Sequence, residues 1–173
     1  MRPAHIVVVT GASGVGKTTL VRALEARRLV GVRCYYFDSV GVPTAEAMTA
    51  QFGSGASWQE AMTRRWIDQF IRNEDGARVA VLDGQVRISM VRSVLAARGV
   101  EACIILVDCS HAVREARLRT ERRQPELASR DMAAWAAYLR GQADVLNLPV
   151  LDTSTQSVGA ATDALAQLVS AVG

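Results

Sequence analysis

The sequence predicts an α/β protein whose core is a doubly wound parallel sheet. Short apolar runs rich in β-branched residues recur along the chain, and helical patterns separate them. Such runs are typical of strands buried on both faces, and the alternation of strand and helix favours a parallel sheet. The chain has 173 residues, 50% of them hydrophobic and 21% charged, which suits one domain, 1–173, with a full apolar core.

Five strands and four main helices account for most of the chain. The strands are expected at His5–Thr10, Val32–Phe37, Arg78–Leu82, Cys103–Val107 and Pro149–Asp152. The helices are expected at Lys17–Ala26, Val86–Ala97, Asp131–Leu146 and Ser157–Val172. Each helix follows a strand, so the connections are crossovers of the kind that parallel strands need.

The connection between the second and third strands is much longer than a typical crossover. We interpret residues 39–77 as an insertion that binds a substrate, because it leaves the sheet at the edge where α/β proteins bind ligands. A short helix is expected after Thr44 and a longer one from Ser57, opened by a capping box that ends at Glu60. The longer helix carries an apolar stripe that we assign to core packing rather than to base stacking: Trp58, Met62, Trp66 and Phe70.

The composition restricts the cellular compartment and the partners expected for the protein. The three cysteines, Cys34, Cys103 and Cys109, show no CxxC spacing, which is typical of a reducing cytoplasm. No apolar stretch approaches the length of a membrane span, and no signal peptide is evident, so we expect a cytoplasmic protein without a membrane segment. The net charge of +3 is too small to indicate nucleic acid as a partner.

A glycine-rich motif follows the first strand. It fits GxxxxGK[ST] and lies between a strand and a helix: Gly11, Ala12, Ser13, Gly14, Val15, Gly16, Lys17 and Thr18. Backbone N–H groups of such a loop form an anion nest at a helix N-terminus, where phosphates bind. Lys17, the only lysine among 20 basic residues, would reach the β- and γ-phosphates. Thr18 would bind Mg²⁺ and Thr19 the α-phosphate; the alternative is an incidental glycine turn.

An acidic residue ends the third strand. Asp83 could bind the Mg²⁺ hydration shell, or it could cap the following helix. The pattern Asp83-Gly-x-x-Arg87 resembles adenylate kinase and other nucleoside monophosphate kinases, with Gln85-Val86 in place of their usual Phe-Pro. That resemblance implies that Asp83 faces the metal and that Arg87 binds the phosphate of the acceptor.

Arginines crowd the segment after the fourth strand, and no aromatic residue lies among them: Arg114, Arg117, Arg119, Arg122 and Arg123. The cluster resembles the lid of these kinases, which implies a lid at 110–128 with Arg117, Arg122 and Arg123 acting on the transferred phosphoryl group. A solvated helix face, or ion pairs with Glu115 and Glu121, is the alternative. Pro125 ends any helix here.

The segment Leu151-Asp152-Thr153-Ser154 carries the chain out of the last strand. This segment resembles shikimate-kinase-like and gluconate-kinase-like proteins, in which the chain passes near the adenine, so Thr153 and Ser154 are candidate nucleotide ligands; a plain turn is the alternative. The resemblance covers nearly the whole chain. It implies the P-loop NTPase fold, a five-stranded sheet in the order 2-3-1-4-5.

Asp38, at the end of the second strand, helps to predict which chemical group accepts the phosphoryl group. Chloramphenicol phosphotransferase, shikimate kinase and deoxynucleoside kinases place an acidic residue near this point to orient or deprotonate a hydroxyl. The sequence therefore predicts an ATP- and Mg²⁺-dependent kinase with a small-molecule hydroxyl acceptor, with Asp38 as its base. A nucleoside monophosphate acceptor and a nucleotide-binding switch or ATPase module remain alternatives, and Asp38 could instead cap a turn.

Overall fold

The computed structural model describes residues 4–173, and residues 1–3 of the expected domain lie outside the described residues. The strands are β1 (His5–Thr10), β2 (Val32–Tyr36), β3 (Val79–Asp83), β4 (Ala102–Asp108) and β5 (Val150–Asp152). The helices are α1 (Lys17–Ala26), α2 (Ala45–Phe52), α3 (Gly55–Arg72), α4 (Ile88–Arg98), α5 (His111–Ala116), α6 (Arg130–Val145) and α7 (Val158–Ala171). Among the described residues, every helix is too short or too polar to cross a membrane.

All strands run parallel in one sheet with the order β2-β3-β1-β4-β5, which confirms the predicted fold class. The central strand β1 pairs with β3 and β4 in registers that align Val9 with both Asp83 and Ile105. Tyr36 of β2 aligns with Asp83 as well. The carboxyl ends of β1, β2 and β3 therefore meet at one edge of the sheet.

Two apolar cores cover the two faces of the sheet. On one face, Ile6 and Val8 pack with the aromatic residues of α3 and with α4 and α6. On the other face, Val7 and Val9 pack with α1 and α7. Successive residues of β1 point to opposite faces, so burial on both sides explains the continuous apolar run in the sequence.

The apolar stripe of α3 is core packing, as expected. Trp58, Trp66 and Phe70 are buried, and Met62 packs against them. Tyr35 of β2 meets two of these rings, with centroid distances of 5.8 Å to Trp66 and 4.9 Å to Phe70. These contacts hold α3 on the sheet.

Several element boundaries differ from the sequence prediction by one or two residues, and hydrogen bonds explain the starts of α3 and α4. Helix α3 begins at Gly55, because the N-cap is Ser54, whose Oγ accepts from the backbone N–H of Ser57; the expected capping box at Ser57 is wrong. Helix α4 begins at Ile88, because Thr10 Oγ1 bonds both the N–H and the carbonyl oxygen of Val86. Strand β2 ends at Tyr36, where a short 3₁₀ turn begins.

Candidate functional site

The loop between β1 and α1 wraps over the carboxyl edge of the sheet. Gly14 and Gly16 have φ angles of 86° and 92°, in the left-handed region that glycine adopts without strain. A Cβ on Gly11 would lie 2.4 Å from the Val107 carbonyl oxygen, so the loop approaches β4 more closely than a side chain permits. These glycines allow the backbone amides of the loop to turn toward the cavity above it.

Asp83 connects the two polar residues at the start of α1. Thr18 Oγ1 donates a hydrogen bond of 2.6 Å to Asp83 Oδ2, and Lys17 Nζ lies 3.4 Å from Asp83 Oδ1. The side chain is 6% exposed, and Oδ1 accepts no hydrogen bond from the described residues. Asp83 does not cap α4, whose N-cap is Arg87. The carboxylate is thus directed at the glycine-rich loop of residues 11–18, which we call the phosphate loop.

A cavity of about 600 Å³ lies beside the phosphate loop. Several residues singled out from the sequence line it: Ala12, Gly14, Gly16, Lys17, Thr18, Thr19, Arg117, Arg122 and Thr153. The structure also brings in Gln156, Ser157 and Val158, from the loop after β5 and the start of α7, which sequence reasoning missed. Its cationic lining and its loop of backbone donors suit a polyanion.

The arginine-rich segment crosses the mouth of this cavity. Helix α5 continues as a π-helical turn over Arg117–Glu121 and ends before Pro125. Arg117 and Arg122 line the cavity, whereas Arg123 is exposed, with a φ of 52°. Arg119 pairs instead with Glu115, with 3.7 Å between Nη2 and Oε1. The cluster therefore divides between the cavity and the protein surface.

Arg114 differs from its neighbours because it is buried against the phosphate loop. It is 5% exposed, and its Nη2 lies 3.0 Å from His111 Nδ1. A Cβ on Gly14 would come within 3.1 Å of Arg114 Cγ. This arginine packs under the loop and does not line the cavity.

Thr153 and Ser154 have different surroundings. Thr153 is buried, and its Oγ1 donates a 2.6 Å hydrogen bond to the Val15 carbonyl oxygen. Ser154 Oγ accepts from the backbone N–H of Ser110, and the Ser154 N–H donates to Asp152 Oδ1. Hydrogen bonds from the Ser154 hydroxyl and the Ser154 backbone N–H hold the pKa of Asp152 below its usual range. Ser154 thus shapes the turn, while Thr153 contacts the phosphate loop.

Asp38 and Arg87 lie on the insertion side of the same sheet edge. Asp38 belongs to the 3₁₀ turn after β2; its side chain is exposed and bonds no described residue, and the turn is closed by its carbonyl oxygen accepting from the Gly41 N–H. Arg87 is also exposed, with its Cζ 5.3 Å from the ring centroid of Trp135. Neither side chain contacts the phosphate loop directly.

The sequence matches no protein-family model, and it matches no curated protein sequence. Solved structures do match over nearly the full chain. The tunicamycin resistance protein of Deinococcus radiodurans superposes with a TM-score of 0.70 at 19% identity, covering 96% of this chain and 95% of that one. The fold is that of the P-loop kinases.

Two further structures support this fold. Shikimate kinase from Acinetobacter baumannii, in complex with shikimate, gives a TM-score of 0.62 at 15% identity and covers 97% of this chain and 94% of its own. The APS kinase of Mycobacterium tuberculosis, in complex with AMPPNP and APS, gives 0.61 at 15% identity, with coverages of 98% and 99%. Small-molecule kinases therefore share the architecture of this chain, including its strand order.

Proposed function

We propose that this chain is an ATP-dependent kinase that transfers the γ-phosphoryl group to a hydroxyl of a small molecule. The observation that carries the proposal is the contact of Asp83 with both Lys17 and Thr18, two residues that line the cationic cavity. This arrangement sets one ammonium and one buried carboxylate beside a loop of backbone donors. Phosphoryl transfer needs such positioning and charge stabilisation more than covalent chemistry.

The same residues fit Mg²⁺. The buried Oδ1 of Asp83 accepts no hydrogen bond from the described residues and has only the Lys17 ammonium beside it, at 3.4 Å; a carboxylate oxygen is a ligand that Mg²⁺ prefers, directly or through water. We assign Asp83 and the hydroxyl of Thr18 to hold the ion. Residues 4–173 contain no cluster of three or more His, Cys, Asp or Glu side chains able to bind a metal, which suits an ion held mainly by phosphates and water. When bound, Mg²⁺ neutralises charge on the β- and γ-phosphates.

The assignment of a hydroxyl acceptor rests on Asp38. This residue lies two positions beyond Tyr36, which aligns with Asp83 in the sheet, so both carboxylates project from the same edge. We assign Asp38 as the base that accepts the hydroxyl proton while the acceptor oxygen bonds to the γ-phosphorus and the bond from that phosphorus to the β-phosphate oxygen breaks. Its side chain makes no bond to the described residues, so it is free for this role.

A nucleoside monophosphate acceptor is the second candidate, and Arg87 favours it. The Arg87 guanidinium pairs with no carboxylate of the described residues and stacks on Trp135. A stacked guanidinium keeps its N–H donors available for an anion. An acceptor phosphate could occupy this position, as could a carboxylate on a hydroxylated acceptor.

ADP release across a panel of acceptors tests the proposal. The panel contains nucleoside monophosphates, nucleosides, sugars, hydroxy acids and hydroxylated antibiotics, each with MgATP, alongside a reaction without acceptor. Stimulation by a hydroxyl compound supports the proposal, and stimulation by monophosphates alone supports the second candidate. Release that no acceptor stimulates would indicate an ATPase module, and a protein that fails to bind ATP would exclude a kinase.

A further inference from the structure

The short loop Gly84–Arg87 between β3 and α4 is fixed by hydrogen bonds from two other elements. Thr10 Oγ1, at the end of β1, donates to the Val86 carbonyl oxygen at 2.8 Å and accepts from the Val86 N–H at 3.2 Å. Gln59 of α3 donates from Nε2 to the Gln85 carbonyl oxygen at 3.1 Å and accepts at Oε1 from the Arg87 N–H at 3.4 Å. These hydrogen bonds satisfy backbone groups of Gln85, Val86 and Arg87 and fix the position from which the side chains of the loop project.

The carboxamide of Gln85 is oriented by the phosphate loop. Ser13 Oγ donates a 2.9 Å hydrogen bond to Gln85 Oε1. Because Oε1 accepts from Ser13, the N–H donors of the amide face away from that hydroxyl, and Nε2 bonds no atom of the described part of the chain. The half-buried Gln85 thus presents an unused neutral donor beside the loop.

The position of this donor relates it to the end of a bound phosphate chain. Asp83, two residues earlier, contacts Lys17 and Thr18 near one end of the phosphate loop, while Gln85 contacts Ser13 near the other. Asp83 and Gln85 therefore contact the phosphate loop at two separate points. In the proposed binding mode Lys17 reaches the β- and γ-phosphates of ATP, so the γ-phosphoryl group is the part of ATP nearest to these two contacts.

We infer that the Gln85 carboxamide binds the terminal phosphoryl group of ATP, with Ser13 as the residue that positions it. The inference rests on the proposed binding of ATP at the phosphate loop. An amide N–H donates to a phosphoryl oxygen without adding charge. ADP lacks the terminal group, so Gln85 contributes to the preference for ATP over ADP.

Nucleotide affinities test the inference without knowledge of the acceptor. Isothermal titration gives the Kd values of MgADP and of the magnesium complex of AMPPNP, an ATP analogue whose terminal phosphoryl group is not hydrolysed. Gln85→Met keeps the side-chain length and removes the donor, so AMPPNP should bind about tenfold more weakly, the scale of one hydrogen bond to a charged group, while ADP changes less than about twofold. The control is Gln167→Met, at an exposed glutamine of α7 that does not line the cavity, which should change neither affinity.

Two more variants separate a direct contact from a packing effect. Gln85→Glu should weaken AMPPNP further, because its carboxylate repels the phosphate, and the loss should shrink as the pH is lowered toward the carboxyl pKa of about 4.3. Ser13→Ala keeps Gln85 but removes the hydroxyl that orients its amide. This variant should therefore lose less affinity for AMPPNP than Gln85→Met does, again with little change for ADP. Thermal unfolding of each variant confirms that it folds, and Ser13→Ala serves if a change at Gln85 prevents folding.

The outcomes distinguish the inference from the proposed function. Folded variants at both positions with an unchanged ratio of the two Kd values would overturn the inference alone, because Gln85 would then serve only the acceptor or the packing. Equal losses for AMPPNP and ADP would overturn it as well. Wild-type protein that binds neither nucleotide would overturn both the inference and the proposed function.

Discussion

Arg117 and Thr153 form a paired contact in the lining of the cavity beside the phosphate loop. Arg117 Nη1 donates to Thr153 Oγ1 at 3.0 Å, and Nη2 donates to the Thr153 carbonyl oxygen at 2.8 Å. The same Nη1 lies 3.2 Å from the Val15 carbonyl oxygen. Arg117, one of the three lid arginines expected to act on the transferred phosphoryl group, therefore ties the phosphate loop to the segment after β5. A resemblance alone had suggested that this arginine acts on the transferred group.

Thr153→Val tests this contact. The change removes the hydroxyl that donates to Val15 and accepts from Arg117, so the buried carbonyl and guanidinium each lose a partner. We expect the free energy of unfolding to fall by about 1–3 kcal/mol and nucleotide to bind several-fold more weakly. Urea unfolding and isothermal titration measure these effects. The control Thr162→Val removes a buried hydroxyl that bonds only within α7, and it should leave nucleotide affinity unchanged; equal affinities for both variants would contradict the expectation.

Lys17→Ala should leave the fold intact and lower the transfer rate by about 10²- to 10³-fold, because the ammonium stabilises charge on the transferring group in a confined site. Lys17→Arg should also lower the transfer rate, because a planar guanidinium cannot take the place of a compact ammonium 3.4 Å from Asp83. Steady-state ADP release with the best acceptor measures both. Near-normal turnover by Lys17→Ala would exclude the kinase assignment.

Asp38→Asn preserves the shape of the side chain and removes its basicity. With a hydroxyl acceptor, the single-turnover rate should fall by about 10²- to 10⁴-fold, while the Kd for ATP barely changes. A monophosphate acceptor needs no base, so the change would then be neutral or favourable. Asp144→Asn, at an exposed carboxylate paired with Arg140 on α6, is the control. A rate within about threefold of wild type on the best acceptor would show that Asp38 is structural.

Hydrogen exchange tests the lid assignment of residues 110–128. Arg122 and Glu121 are exposed at the cavity mouth, so closure over nucleotide should order this segment and slow its amide exchange. Exchange is compared with and without saturating AMPPNP and acceptor. Helix α4, which contributes no residue to the cavity lining, is the internal reference. Unchanged exchange in 110–128 would favour a surface helix instead of a lid.

Alkaline pH should destabilise the protein by ionising side chains of β2. Burial, with Glu25 and Asp83 nearby, raises the pKa of the Cys34 thiol to about 12, and burial with hydrogen bonds to Asp75 and Glu25 raises the pKa of Tyr35 and Tyr36. Groups with a raised folded-state pKa contribute stability that is complete below their unfolded values, about 8.5 for Cys, and is lost as the pH rises toward the folded values.

Urea midpoints at pH 8 and pH 10.5 measure this loss. The midpoint of the wild-type protein should fall between the two pH values, and that of Cys34→Val should fall less, because the variant has no thiol to ionise. At pH 8, iodoacetamide should label Cys34 far more slowly in the native protein than in urea. Equal midpoints at both pH values would contradict the expectation.

Much of the site could be predicted from the sequence because it is local in the chain. The spacing from Gly11 to Thr18 defines the phosphate loop, and the apolar run before Asp83 identifies the end of a buried strand. Parallel strands align their carboxyl ends, so placing Asp83 beside Lys17 requires only the strand order. That order came from a resemblance, because a sequence of alternating strands and helices is compatible with more than one arrangement in a sheet.

Only the tertiary structure decided which side chains meet across the loops. Ser13 and Gln85 are 72 positions apart, and Thr153 and Val15 are 138 positions apart. Such hydrogen bonds form after packing brings the loops together, and no periodicity in the sequence encodes them. The N-cap of α3 shows the same limit on a smaller scale, since Ser54 and Ser57 are both suitable caps and the backbone path through Gly53 selects Ser54.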